Sequence, residues 1–201
     1  MATYKEIRGT QIEAVATDPS NPVEGQVWYN TTSNVLKGSV LTSTGSWATS
    51  GALNTARNSL AGSGTQTAAL AFGGQPPNTA VTELYNGSNW TEVNDLNTAR
   101  NGPGGFGTST SSLAYGGEGS SPNPKNQTEL WNGTNWTEVN NLNNTGKYIG
   151  RAGTDSTAGL AVSGIGPDNS SPVANVELWN GTNWTETTDV NTARDNLGGS
   201  G

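Results

Sequence analysis

Apolar and aromatic residues along this chain come in short runs, each cut off within a few positions by Gly, Asn, Thr, Ser or Pro. Runs of that length predict short strands rather than helices. Four such pieces can be laid out in one stretch: NGPGGFGT after Arg100, SSLAYGG from Ser111, TELW from Thr128 and WTEV from Trp136. Between the last two lies NGTN, residues 132–135, where Asn-Gly supplies the positive φ that a tight hairpin demands. The strands on either side are therefore expected to pair antiparallel. Trp131 and Trp136 flank that loop, as Tyr85 and Trp90, and Trp179 and Trp184, flank its copies at residues 86–89 and 180–183. Cross-strand aromatic pairs of this kind contribute about 0.5–1.5 kcal/mol beyond area burial, and packing is a simpler use for them than ligand stacking.

The hairpin belongs to an internal repeat. ELYNGSNWTEVNDLNTAR starts at Glu83, ELWNGTNWTEVNNLNN at Glu129 and VELWNGTNWTETTDVNTAR at Val176, with a fainter copy, GSWATSGALNTAR, at Gly45. Taking the Trp after each turn as the register mark, the copies fall at Trp47, Trp90, Trp136 and Trp184, spaced 43, 46 and 48 residues. A period in the forties admits four-stranded propeller blades or helical pairs, and the Gly, Asn and Thr spread through every copy weaken helices. The expected fold class is all-β, with an N-terminal module 1–46 and repeat units 47–89, 90–135, 136–183 and a partial 184–201. Gly87, Gly133 and Gly181 sit in the turns, and the second strand ends in Gly73-Gly74 and Gly116-Gly117, decaying to Ser163-Gly164 in the third copy. Glycine there allows a bend or a close backbone approach.

Arg57, Gly73-Gly74, Tyr85 and Trp90 follow one another in a fixed order, as do Arg100, Gly116-Gly117, Trp131 and Trp136, and Arg194 stands where the next copy would open. This order resembles the kelch repeat family, over residues 47–201. The resemblance implies a β-propeller with blades around a central channel, in which those arginines and glycines and Trp90, Trp136 and Trp184 are structural. The third copy departs, with Lys147 displaced by an inserted residue in LNNTGK and one glycine missing, so its blade is expected to be looser. Propellers typically need four to eight blades. Three complete units therefore suggest the N-terminal part of a longer protein, with pairing of residues 22–46 to the C-terminal piece, or completion by other chains, as alternatives.

The N-terminal module carries NPVEGQVWYNTTSNVLKG, residues 21–38. Its runs QVWYN and VLKGSVL around TTSN predict a hairpin. The string resembles a segment common in bacteriophage tail-fibre and other virion proteins: Pro, then Gly, then Trp-Tyr-Asn-Thr-Thr before a short Leu-Lys strand. An outer hairpin of the first blade is the simpler alternative, because the order Trp28, Tyr29, Asn30 and Trp47 partly echoes a blade's last two strands.

Composition narrows the function classes. Of 201 residues only 31% are hydrophobic, yet seven Trp and five Tyr recur at regular places, which favours order over disorder. A net charge of -7 with no basic cluster opposes a nucleic-acid partner. The absence of Cys and His removes disulfides, Cys/His zinc sites, the commonest general base and a copper-oxidase site of the kelch type. No apolar run approaches a membrane span, and MATYKEIRGTQIEAVATDP lacks a signal-peptide pattern. Glu92, Glu138 and Glu186 recur at one position, as solvated strand faces do, whereas catalytic carboxylates are normally a unique pair. Asp155 and Asp168 belong to no calcium-loop pattern, and Asn-x-Thr strings such as those at Asn89 and Asn132 are by-products of the turn grammar. Three of the five arginines are repeat positions, which leaves no convergent cluster for a sialidase. No enzyme activity, metal or cofactor is expected.

The copies differ most in QPPNTAVT (75–82), EGSSPNPKNQT (118–128) and IGPDNSSPVANV (165–176), whose flanks repeat almost verbatim. Equivalent loops emerge on one face, and variation there marks either a binding surface or free drift. The expected partner-binding residues are Gln75, Asn78, Glu118, Asn123, Lys125, Asp168 and Asn169. These readings point to a non-enzymatic bacteriophage virion protein, a tail fibre or related appendage. It would dock to other virion proteins through residues 1–46, meet a host-surface receptor or glycan through the loops, and form a homo-oligomer, without nucleic acid or a membrane span. A cellular or secreted kelch-type scaffold, cytoplasmic or extracellular, is the alternative, and a glycan hydrolase on a propeller is the third.

Overall fold

The structure, a computed structural model, describes residues 12–20, 26–39, 48–120 and 123–199. The chain divides into two compact units, Met1–Ala48 and Thr49–Gly201. All regular structure among the described residues is β, in four sheets, and no helix is present that could cross a membrane.

The first unit holds β1 (Glu13–Val15), β2 (Val27–Asn30) and β3 (Val35–Gly38), with β1 parallel to β2 and β2–β3 an antiparallel hairpin. Asn30 shapes the turn by accepting the N–H groups of Thr32 and Ser33 at 3.0 and 2.9 Å. Asp18 ties the hairpin together, accepting from Lys37 Nζ at 2.6 Å, Asn30 Nδ2 at 2.7 Å and Trp28 Nε1 at 2.9 Å. Those donors, Lys37 foremost, hold its carboxyl down to about 2. The hairpin expected from QVWYN and VLKGSVL is therefore formed, in a sheet of its own rather than in that of the first repeat. Trp47 and residues 21–25, which carry the Pro-Gly part of the virion-like string, lie outside the described residues.

The second unit is three antiparallel meanders of four strands each. The first comprises β4 (Ala61–Thr65), β5 (Ala68–Phe72), β6 (Thr82–Tyr85) and β7 (Trp90–Val93). The second comprises β8 (Gly104–Gly107), β9 (Ser112–Tyr115), β10 (Thr128–Trp131) and β11 (Trp136–Val139). The third comprises β12 (Gly150–Asp155), β13 (Ala158–Ile165), β14 (Pro172–Trp179) and β15 (Trp184–Glu186). The aromatic pairs face each other across the last two strands, Tyr85 with Trp90, Trp131 with Trp136 and Trp179 with Trp184, their rings 5.0, 5.4 and 5.2 Å apart. Units drawn from Trp to Trp thus cut each sheet between its third and fourth strands. Of the partial unit 184–201, Trp184–Glu186 is therefore the closing strand of the third sheet.

Each hairpin loop is four residues long, and only its glycine is left-handed, with φ of 94° at Gly87, 93° at Gly133 and 91° at Gly181. The preceding Asn acts through its side chain instead: Asn132 Oδ1 accepts the N–H groups of Thr134 and Asn135, both at 2.9 Å. This divides between two residues a task expected of the Asn-Gly backbone as a whole.

Apolar cores lie between successive meanders, because a short strand with one apolar face buries it only against the next sheet. Trp136 packs edge-on against Phe72 at 5.0 Å and donates Nε1–H to Thr82 Oγ1 at 3.0 Å, and Trp184 repeats the contact on Tyr115 and Thr128. The third meander is not the looser one expected. Ser163 and Gly164 keep the left-handed pair, φ 59° and 118° against 68° and 115° at Gly73 and Gly74. The Ser163 hydroxyl accepts from Arg194 N at 3.1 Å and donates to Arg194 O at 2.6 Å, turning a side chain that glycine would omit into a link. β13 and β14 are the longest strands described.

Candidate functional site

The Arg that opens a repeat lies under its sheet. Arg57 donates to Glu83 Oε1 at 2.5 Å and to the Gly73 carbonyl at 2.9 Å, and Arg100 donates to Glu129 Oε1 at 2.5 Å and to the carbonyls of Gly116 and Gln127 at 3.0 and 2.9 Å. All four charged side chains are sealed from solvent. Burial lowers the Arg100 pKa, with Glu129 opposing it; burial pushes the Glu83 carboxyl up, but Arg57 and the N–H groups of Asn54 and Thr55 outweigh it and hold it low. Glu129 also accepts from the Asn97 and Thr98 N–H groups at 2.7 and 3.3 Å, so each pair pins the loop between sheets. Arg57 and Arg100 hold the place read for them, but their buried partners Glu83 and Glu129, and the equally buried Glu177 at the same register of the third sheet, were not foreseen. Their signal was a charged residue repeated inside an otherwise apolar strand, in step with the Arg.

The third copy is built differently. Gly146 takes the arginine's register, because its carbonyl accepts Gly117 N–H at 2.8 Å as that of Arg100 accepts Gly74 N–H at 2.8 Å. Lys147, bridged to Ile165, stands where Asn101 is bridged to Glu118. It is therefore not a displaced arginine. Arg194 has the matching backbone bond, from Gly164 N–H at 2.9 Å, and an exposed side chain whose Nε reaches the Thr192 carbonyl at 3.2 Å.

The variable loops meet at Glu118. Its carboxylate accepts from Lys147 Nζ at 2.7 Å and from Asn169 Nδ2 at 3.3 Å, while Asn78 Nδ2 donates to the carbonyls of Glu118 and Gly119 at 3.1 and 2.7 Å. Asn101 links in by donating to Asn78 Oδ1 at 2.9 Å, and Tyr148 Oη donates to Asn101 Oδ1 at 3.3 Å. The Lys147 ammonium is the main reason that the Glu118 carboxyl lies below its ordinary value. Three of the expected residues, Asn78, Glu118 and Asn169, thus join one polar network with Lys147, Asn101 and Tyr148. Lys125 borders it through its backbone bond to Gly117 at 2.7 Å. Gln75 pairs by backbone with Asn58, Asn123 is exposed, and exposed Asp168 caps its own turn on Ser170 and Ser171. Asn101 and Lys147 share one offset from the repeat's opening position, which a register alignment would have flagged.

A second concavity, of about 360 Å³, runs along the glycine-rich first strands β4, β8 and β12. Ser63, Thr65, Thr108 and Thr154 line it beside Arg151, a half-buried cation. Its chemistry suits a hydroxylated or anionic group. Elsewhere Glu92, Glu138 and Glu186 are exposed on outer strands, and Asp155 accepts the Thr157 N–H in its own turn, as Asp168 accepts that of Ser170. Among the described residues no three Asp or Glu side chains gather as a metal site would require. Comparison with protein-family models gives no match for this chain, and comparison with curated proteins gives none either.

Proposed function

We propose that the chain is a non-enzymatic bacteriophage virion protein, a tail fibre or related appendage, whose three meanders are kelch-type blades of a β-propeller. The observation that carries this reading is the junction at Glu118: three loops unlike in sequence, on three sheets alike in sequence, are tied to one another by side chains. A scaffold that repeats while one edge varies and is nevertheless cross-linked presents a composite recognition surface. The buried ionisable groups described above are spent on bracing loops, which supports recognition rather than catalysis. In the first unit Val27 and Leu36 are 44% and 60% exposed and lie with Tyr29 on one face of the hairpin, which supports docking of residues 1–46 to other virion proteins.

The division of labour is testable in the assembled particle. Exchanging residues 75–82, 118–128 and 165–176 for Gly/Ser turns is expected to leave incorporation intact and abolish binding to the host surface or its glycans. Leu36→Asp with Val27→Asp is expected to abolish incorporation. The reverse pattern overturns the reading, and retention by a cellular protein partner without incorporation into particles favours a kelch-type scaffold.

A further inference from the structure

We propose that the concavity along β4, β8 and β12 is a binding site for the carboxylate of an acidic sugar, with Arg151 as the group that holds it. Arg151 does not belong to the repeat's own set of arginines. It pairs with Ala161 across its hairpin as Gly62 pairs with Ala71 and Gly105 with Ala114, so the first two sheets build this register with no side chain at all. The third sheet puts a half-buried guanidinium there, on the wall of a concavity of about 360 Å³. Among the described residues it enters none of the four ion pairs and donates no side-chain hydrogen bond. A guanidinium carries five N–H donors, and covering them without an acceptor costs free energy that an anion from outside would offset. Bracing accounts for Arg57 and Arg100 but not for Arg151.

The walls suit such a ligand in size, charge and hydrogen bonding. A volume of about 360 Å³ falls within the ~300–1,000 Å³ range of small-molecule sites. Although the chain has 16 acidic and 9 basic residues, no Asp or Glu is among the described residues that line this concavity, so Arg151 sets its local charge. Ser63 Oγ accepts from Ser112 Oγ at 2.8 Å, which leaves its own O–H free to donate. The exposed Thr154 hydroxyl has no partner among the described residues, whereas Thr108 Oγ1 is engaged in its own turn, accepting Ser111 N–H at 3.0 Å. The guanidinium fork matches the edge of a carboxylate, and the free hydroxyls match those of a sugar ring. A single cation in a chain of net charge -7 favours a monoanion over a phosphate dianion. No residue of the Glu118 junction lines the concavity, which makes this a second site.

The test is titration of the full chain with sodium galacturonate, galactose, sodium acetate or inorganic phosphate at matched ionic strength, read by amide NMR of Gly62, Gly105 and Gly153. Galacturonate is expected to shift these amides in a saturable way and to bind more tightly than the other three. Arg151→Gly restores the residue that the other two sheets carry, so it should fold, and it is expected to weaken binding about tenfold or more. Arg151→Lys keeps the charge but not the fork, and should bind more weakly than the wild type while retaining its melting temperature. A trimer of galacturonic acid that binds more tightly than the monomer assigns the site to a polysaccharide, and equal affinity assigns it to a free sugar. Unmoved amides, acetate or galactose binding as tightly as galacturonate, tighter binding of phosphate, or undiminished affinity in the Arg151 variants overturns the proposal. The loop-exchanged protein keeps every lining residue of this site, so its loss of host binding neither supports nor harms it.

Discussion

Gly133 is held at φ 93°, and a Cβ there would meet the Thr110 carbonyl at 3.3 Å, so strain and crowding act together. Gly133→Val is expected to lower stability by about 1 kcal/mol or more, read as a lowered melting temperature. Arg100 shows the opposite use of one residue, as a charge whose removal strands another. Arg100→Met would leave Glu129 buried without its cation, and the expected loss is about 3–5 kcal/mol. The double variant Arg100→Met with Glu129→Leu should recover much of that loss in denaturant unfolding, because the stranded charge and not the missing contact carries most of the cost. Equal losses in the single and double variants would contradict this account.

Between elements, the outer-strand tryptophans fasten one meander to the last. Trp136→Phe keeps the ring against Phe72 but leaves the fully buried Thr82 hydroxyl without its Nε1–H donor, at an expected cost of about 1–3 kcal/mol. The loop junction responds to pH instead. The folded-state pKa of Glu118 lies below its usual 4.5, with Lys147 the leading cause. A depressed folded value means stability that is fully present above pH 4.5 and is lost as the pH falls through the folded value. The acid-induced loss of stability between about pH 5 and the folded value is therefore expected to shrink in Glu118→Gln. Denaturation midpoints of the two proteins across that window measure it, and parallel profiles would remove Glu118 from the junction.

At the scale of the molecule, the second meander has cores on both faces, one shared with each neighbour. Stacked repeats stabilise one another through such interfaces, and the sheets at the ends have one fewer. Amide exchange should accordingly be slowest in β9 and β10 and faster in β7 and β15. Substitutions in the neighbouring sheets, Phe72→Ala in the first meander or Trp184→Ala in the third, are expected to speed exchange in the second meander, because each side chain belongs to a core shared with it. An effect confined to the first or third meander would show that the sheets fold independently.

The all-β class, the hairpin turns and the pairing of Tyr85, Trp131 and Trp179 with the following Trp were legible in the sequence, because turn chemistry and strand alternation are local. The repeat also marked Arg57 and Arg100 as structural positions. What they meet was decided only by tertiary structure, since Glu83 and Glu129 lie far along the chain and become partners when the third strand of each sheet passes beneath the incoming loop. The four strands of one sheet were legible too, since the pieces after Arg100, from Ser111, from Thr128 and from Trp136 form the second meander; Trp-to-Trp spacing marks only the period, and hydrogen bonding places each such Trp on the last strand of its sheet. The junction at Glu118 was half legible. Loop variability pointed to Asn78, Glu118 and Asn169, but Asn101 and Lys147 come from the constant side of each repeat and reach it only because successive sheets bring their edges together.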